Sequence, residues 1–375
     1  MKVLILNTTE RTGGAAIAAN RLMHALRKEG VDVSMLCRRA KFPFYWERLR
    51  IFFANHFNRR NLWQIDIANC GEDITSMKEF QEADVVHLHW VNQGYLSLKV
   101  LEKIFKSGKH IVWTLHDQWP YVGICHYVED CDRYHSHCHD CPLLMHPGMK
   151  DLSYKVFEEK RRIWESANIT LVGCSQWIAD EARMSALTQG HHIVSIPNAI
   201  DHHIFRPMPK AEAREEFGLP QGRHIVLFIC QKVTDERKGM RYLEEAVKLV
   251  PDADVVRVGS GGDYEIHDER RMAAMYAAAD VFVTPSLQDN LPNTIVEAMS
   301  CGTPCVGFRV GGIPEMIHHK QDGYVASYRD SEDLAEGIRF VLSHPELGDA
   351  AAQYAYETYN ESRVARLYMN VYNAQ

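Results

Sequence analysis

The sequence predicts a two-domain α/β protein built on parallel sheets, and three observations predict it. Through the first half, short β-branched runs alternate with polar or glycine turns and then helical stretches. The same alternation restarts at His224. Between the two series, IPNAIDHHIFRPMPK carries three prolines and no clear periodicity, as a linker does. At 375 residues the chain is also too long for one ordinary hydrophobic core.

The strand candidates of the first series are KVLILN, DVSMLC, DVVHLHW, HIVWTLHD and TLVGCS. Between the first two, Ala15, Ala19, Leu22 and Leu26 fall at helical spacing and the stretch stops at Gly30, which completes a βαβ unit. The second series reads HIVLFIC, a helix from near Lys238, DVVRVGS, a helix around Met272 to Ala279, VFVTPS, a helix through Glu297, and PCVGF. The stretch from about Pro345 to Gln375 reads as helix able to pack back on either domain. The expected division is therefore 1–197, with the helix at about 358–375 as a candidate addition, and 198–357.

A net charge of -7 argues against a protein whose main business is holding nucleic acid. The opening MKVLILN lacks the pattern of a signal peptide, and no apolar run is long enough to span a bilayer, so a cytoplasmic protein is expected. Six of the ten cysteines are scattered, mostly in apolar runs, as reduced core thiols are.

In open parallel sheets ligands bind beyond the carboxyl ends of the strands, so those ends carry the candidates. After the first strand, Gly13 and Gly14 precede a helix, where backbone N–H groups favour an anion or a sugar hydroxyl; a structural turn explains them about as well. The absence of a full G-x-G-x-x-G lowers the odds of a dinucleotide enzyme. In KVTDERKGM, Lys232 at a strand end and Lys238 entering the next helix flank one loop, solvated lysines being the bland alternative. In SLQDNLPNTIVEAMSCGTP, Asp289 follows a strand and Glu297 lies eight residues on, roughly two helical turns. Pro292 suits a first helical turn and would leave the N–H groups around Asn290, Leu291 and Asn293 facing a ligand. Cations, a helix N-terminus and two carboxylates together describe a site for a sugar joined to a diphosphate.

On these residues the whole chain resembles the retaining glycosyltransferases of family four, the group-1 transferases of the GT-B fold. The strongest element is the spacing from Asp289 to Glu297 followed by AMSCGTPCV. The resemblance implies two Rossmann-like domains with sheets facing across a cleft that holds the active site. It assigns Glu297 to the nucleotide ribose, Asp289 to the transferred sugar, and Lys232 and Lys238 to the diphosphate. Family members usually carry Glu at the Asp289 position and often Arg at the Lys232 position, which turns a bidentate clamp into a point charge. PNAID, with Asn198 and Asp201, resembles the interdomain signature. The phrase TLHDQWPYVGICHY resembles a bacterial polysaccharide-synthesis branch, and His116 would then touch the donor sugar. His87 and His89 share one strand face and read as packing residues, with His89 also an acceptor-side candidate. The family's extra helix and strand after the glycine-rich turn have no room in GSGGDYEIHDERRMAAMYAAAD, so the nucleotide base is not carried over.

The implied reaction is direct transfer with retention, from a nucleotide-sugar donor to a glycan or lipid-linked acceptor in cell-surface polysaccharide synthesis, driven by charge stabilisation on the leaving diphosphate. No cofactor is required for that. The D-x-D of Asp252 and Asp254 precedes a strand and lies at the wrong end of the sheet. An epimerase of the same architecture and a non-catalytic degenerate transferase are the alternatives.

Two segments stand outside this scheme. Cys125, Cys131, Cys138 and Cys141 lie in CHYVEDCDRYHSHCHDC, with His135, His137 and His139 among them; four thiolates could close a structural zinc site, against free or oxidised loop thiols. From Arg38 to Arg60 basic and aromatic residues alternate and Glu47 is the only acid. That composition suits anionic lipid headgroups on the inner face of a membrane, with an ordinary solvated helix pair as the competing reading.

Overall fold

The structure is a computed structural model and describes residues 1–374. The chain divides into two compact units, an N-unit of Met1–Ile196 joined by the chain from Ala365 onward, and a C-unit of Pro197–Val364.

The N-unit sheet contains β1 (Lys2–Asn7), β2 (Asp32–Cys37), β3 (Val85–Leu88), β4 (His110–Leu115), β5 (Ile169–Gly173) and β6 (His192–Ser195), all parallel, in the order β2-β1-β3-β4-β5-β6. Its helices are α1 (Gly14–Lys28), α2 (Phe42–Ala54), α3 (Lys78–Glu82), α4 (Leu98–Phe105), α5 (Leu152–Trp164) and α6 (Gln176–Met184). Several start where the sequence offers a capping oxygen: Ser97 accepts from the Val100 N–H, Asp151 from Ser153 and Tyr154, and Ser175 from Ile178. β3 is buried at every position, the mark of a strand covered on both faces.

The C-unit sheet is also parallel, with β7 (His224–Lys232), β8 (Ala253–Ser260), β9 (Val281–Thr284), β10 (Cys305–Phe308) and β11 (Gly323–Ala326) in the order β11-β10-β9-β7-β8. Around it lie α7 (Lys210–Phe217), α8 (Met240–Ala246), α9 (Glu269–Ala278), α10 (Asn293–Ser300), α11 (Ile313–Met316), α12 (Ser331–Leu342) and α13 (Leu347–Tyr359). The terminal helical stretch is broken at Asn360, whose side chain accepts from the Ser362 N–H and opens α14 (Glu361–Asn373). From Ala365 α14 belongs to the N-unit, where the Tyr368 and Tyr372 hydroxyls meet Thr114 and His87 at 2.9 and 2.7 Å.

Two strands escape the sequence reading. HIVS (β6) and GYVA (β11) are four-residue edge strands, too short for a periodicity to declare itself. Between β8 and α9 the chain makes a glycine turn and a single bridge from Tyr264 to Val258, with no further helix or strand among the described residues.

Candidate active site

The C-unit candidates cluster at the carboxyl end of its sheet. Lys238 closes a 3-10 turn after β7 and is followed by Gly239, which has φ 71° and would place a Cβ 1.8 Å from the Pro285 carbonyl oxygen. Only glycine allows that approach, and it seats the lysine loop against the loop after β9. There Lys238 Nζ donates to Asp289 Oδ2 at 2.6 Å and the Ser286 hydroxyl donates to the same oxygen at 3.2 Å. The Arg237 guanidinium stands 4.0 Å from that oxygen and donates to the Gln288 carbonyl. On the other side Gly311, φ 56°, lies so close to the Asp289 carbonyl that a Cβ would approach it to 1.8 Å. Burial alone would push the Asp289 carboxyl up, but Lys238 and Arg237, with hydrogen bonds from Lys238 and Ser286, hold it below the ordinary carboxylate value. Lys232 ends β7 in register with Ser260, its side chain exposed.

Glu297 lies on α10, which begins at Asn293 with Pro292 at its N-cap and no side-chain cap. Asn290 and Leu291 are buried in the approach to that helix, and Asn293 accepts from Asn198 at 3.0 Å. A solvent-facing Glu297, replaceable without consequence for packing, is what the ribose assignment alone suggests. The structure corrects this: Glu297 is 7% exposed, and its Oε2 accepts from the Tyr276 hydroxyl at 2.8 Å. Tyr276 and Ser286, which hold the two carboxylates, were not singled out from sequence. Tyr276 was signalled by its place in YAAAD, four residues before Asp280.

The N-unit candidates gather differently. Gly13 takes the N-cap position of α1, which has no side-chain cap. His116, just past β4, is half-buried, with Nε2 2.8 Å from His89 Nδ1 and Nδ1 3.6 Å from Cys174 Sγ. His89 packs on His87 and is 3% exposed, and its Nε2 is buried with no hydrogen-bond partner. His87 binds Thr114 and Tyr372 through its two ring nitrogens. Desolvation lowers all three imidazoles, His116 to about 4 and His87 to about 3, so they stand neutral at physiological pH.

Next to them is a buried charged network that sequence reasoning missed. Asp117 accepts from Trp90 Nε1 at 2.6 Å and pairs with His126 at 2.7 Å; His126 in turn pairs with Asp66 at 2.6 Å, and Asp66 with Arg48. Burial opposes charge on His126, but Asp117 and Asp66 overcome it and raise its value to about 10.

The four clustered cysteines, all free, line one small cavity with Val122, Ile124 and Val128. The Gly123 N–H points at Cys138 Sγ at 3.3 Å. Among the described residues the one trio of His, Cys, Asp or Glu whose ligand atoms lie within 4.8 Å of one another is Asp201, His203 and Glu361, so the sulfurs are not gathered that tightly.

Two units, each built on a parallel sheet, are the architecture of the GT-B glycosyltransferases. The profile of Glycosyltransferase Family 4 matches residues 12–204, just over half of the chain, and that of Glycosyl transferases group 1 matches residues 223–344. The chain belongs to glycosyltransferase family 4. It is 24% identical over 316 residues, 77% of this chain and 76% of the other, to WcaC of Escherichia coli strain K12, a glycosyl transferase named for colanic acid biosynthesis. It is 26% identical over 203 residues, 48% of this chain, to the N-acetyl-alpha-D-glucosaminyl L-malate synthase of Bacillus anthracis, and that match spans 53% of the synthase. Among solved structures, sucrose-phosphate synthase from Thermosynechococcus elongatus shares the fold with a TM-score of 0.72 at 18% identity, over 100% of both chains. Anabaena HepE in complex with UDP-glucose does so with a TM-score of 0.64 at 15% identity, over 99% and 98% of the two chains.

Proposed function

We propose that this transferase moves a sugar from a nucleotide-sugar donor to a glycan or lipid-linked acceptor in cell-surface polysaccharide synthesis, with retention at the anomeric carbon, at the cytoplasmic face of a membrane. The observation that carries the reading is the Lys238–Asp289 pair at 2.6 Å, with Asp289 just before the loop and helix that present Glu297. The ammonium spends one of its three N–H donors on Asp289 and keeps the others for diphosphate oxygens. Lys232 adds a second cation, and the uncapped start of α10 adds backbone dipoles, so negative charge growing on the leaving diphosphate is met by groups already in place. No cofactor enters that step. Asp289, oriented by Lys238 and Ser286, would accept from donor-sugar hydroxyls, Glu297 from ribose, and neutral His116 would hydrogen-bond the sugar. Gly13 and Gly14 would bring backbone N–H groups to the donor.

The binding of a UDP-sugar by HepE supports a nucleotide-sugar donor here, and the name of WcaC supports a polysaccharide role. The reading is tested by incubating the chain with UDP-, GDP- and ADP-sugars and a lipid-linked or glycan acceptor. Nucleotide release with sugar on the acceptor in the α-configuration of the donor is the expected result. Isomerised sugar without transfer would identify an epimerase, and no release from any donor a non-catalytic binding protein. The cysteine cavity belongs to the proposal as a structural zinc site of Cys125, Cys131, Cys138 and Cys141.

A further inference from the structure

An amphipathic helix on a soluble protein turns its apolar stripe inward and its charges to water. α2 is reversed. Its buried residues are Glu47, Arg48 and Ile51. Glu47 accepts from the Ile67 and Ala68 N–H groups at 2.9 and 2.6 Å, while Arg48 donates to the Ile65 carbonyl at 2.9 Å and pairs with Asp66. With the charged side pinned inward, Phe42, Tyr45, Trp46, Leu49 and Phe53 fall on one outward stripe at i, i+3, i+4, i+7 and i+11. Phe42 is 73% exposed and Tyr45 63%, and Phe57, edge-on to Phe53 at 5.3 Å, extends the patch at 69%. Continuous exposed apolar surface of this kind marks a site of association.

The charge around the stripe says with what. Arg39, Lys41, Arg50, Arg59 and Arg60 are exposed, and the one acid between residues 38 and 60, Glu47, is buried. A second copy docking symmetrically would bring this cationic rim against itself. A bilayer bearing anionic headgroups instead accepts the guanidinium groups at its surface and the Trp, Tyr and Phe rings at the boundary with the acyl chains. The face also has a fixed place in the N-unit. α2 begins five residues after the carboxyl end of β2, and its inner side is tied through Asp66 and His126 to Asp117, the neighbour of His116.

We propose that the outward face of α2, with Phe57, docks this chain on an anionic lipid surface. The use of that docking, bringing lipid-linked acceptors to the strand ends, rests on the transferase reading above; the docking itself does not. The test is co-sedimentation of the full chain with phosphatidylcholine vesicles, with and without phosphatidylglycerol. Binding is expected only to the anionic vesicles and should weaken as salt is raised. Phe42→Ser with Trp46→Ser, and separately Arg59→Ser with Arg60→Ser, should each lower it by about tenfold or more. The replaced side chains are exposed, so thermal melting should not move, and nucleotide release with a soluble acceptor should stay at the unaltered rate. Absent binding, equal binding to both vesicle types, or a concentration-dependent dimer that Phe42→Ser with Trp46→Ser dissolves, would overturn the proposal. Vesicle binding by a chain that releases no nucleotide would leave the docking standing and remove the transferase reading.

Discussion

The two units furnish the ends of their sheets with different chemistry. At the carboxyl edge of the C-unit sheet the polar groups are charged and close: Lys238 on Asp289, Arg237 beside them, Glu297 a helix away on Tyr276. At the same edge of the N-unit sheet a neutral chain of imidazole, hydroxyl and thiol groups runs through Tyr372, His87, Thr114 and Tyr368, and through His89, His116 and Cys174, while the charges beside it, Asp117, His126, Asp66 and Arg48, are buried and paired with one another. A charged edge is what a diphosphate needs, and a neutral, hydrogen-bonding edge is what uncharged sugar hydroxyls need. The contrast matches the roles proposed for Lys232 and Lys238 on the diphosphate and for His116 on the sugar, and each experiment below tests one side of it.

The largest effect is expected on the charged side. Lys238→Ala should lower turnover at saturating donor by about a hundredfold to a thousandfold, the scale for removing one donor to a developing oxyanion. It also strands the Asp289 carboxylate in a buried setting, so Lys238→Ala should be compared with the double change that adds Asp289→Asn. Initial rates that stay within a few-fold of the unaltered chain would remove Lys238 from the chemistry.

The neutral side makes a prediction about pH. In the unfolded chain a histidine takes up its proton near about 6.5. Folded, His116 does so near about 4 and His87 near about 3, because burial penalises the cation. The folded state binds fewer protons in that window, so the contribution to stability is full above about 6.5 and is lost as pH falls through it. For His116 alone this amounts to about 3 kcal/mol. His126 runs the other way: its contribution is full below about 6.5 and fades as pH rises towards about 10. All seven tryptophans lie within Met1–Ile196, so their fluorescence reports the N-unit. Urea midpoints followed by that signal should drop from neutral pH to about pH 4.5; a flat profile would mean the imidazoles are already solvated.

How far the sequence disclosed these edges follows from how local each one is. Asp289 and Glu297 are eight residues apart on one loop and helix, and the lysines share one loop, so spacing alone brought them forward. The neutral chain is assembled from residues 254 and 285 positions apart, Thr114 with Tyr368 and His87 with Tyr372, which no local pattern reveals. α2 was legible in part: the alternation of basic and aromatic residues from Arg38 to Arg60 suited a lipid surface, but did not say which face of the helix carries it. A periodic aromatic stripe ordinarily faces the core, and its reversal depends on Asp66 and the N–H groups of Ile67 and Ala68, a chain segment away.

A smaller effect separates two roles of Glu297. Glu297→Ala removes a hydrogen-bond acceptor and leaves the Tyr276 hydroxyl buried without it, at a cost of about 1–3 kcal/mol in stability. Glu297→Gln keeps an acceptor for Tyr276 and should melt close to the unaltered chain. Both should weaken nucleotide-sugar binding by calorimetry if the carboxylate holds ribose. Unchanged affinity in the Gln variant would confine Glu297 to packing.

The smallest effect on the charged edge, none at all, is expected from removing metal. Four cysteines lining one cavity in a loop of mostly polar residues are more than a core needs, and all four are free thiols. Burial holds Lys160, which donates to the Trp119 and Val122 carbonyls, well below the ordinary lysine value, and negative charge at Cys125 and Cys138 pushes it back up, so a zinc carrying four thiolates would favour its charged form. Because the sulfurs are not yet within 4.8 Å of one another in threes, binding must rotate them inward until each lies about 2.3 Å from the ion. The purified chain should carry about one zinc. Chelation should lower the N-unit melting point by a few degrees, read by tryptophan fluorescence. Donor affinity should be untouched, since Lys232, Lys238 and Glu297 sit on C-unit elements that hold no part of the cavity. Elemental analysis without stoichiometric metal would leave these as free thiols, and a loss of donor affinity on chelation would mean that the two edges are coupled rather than independent.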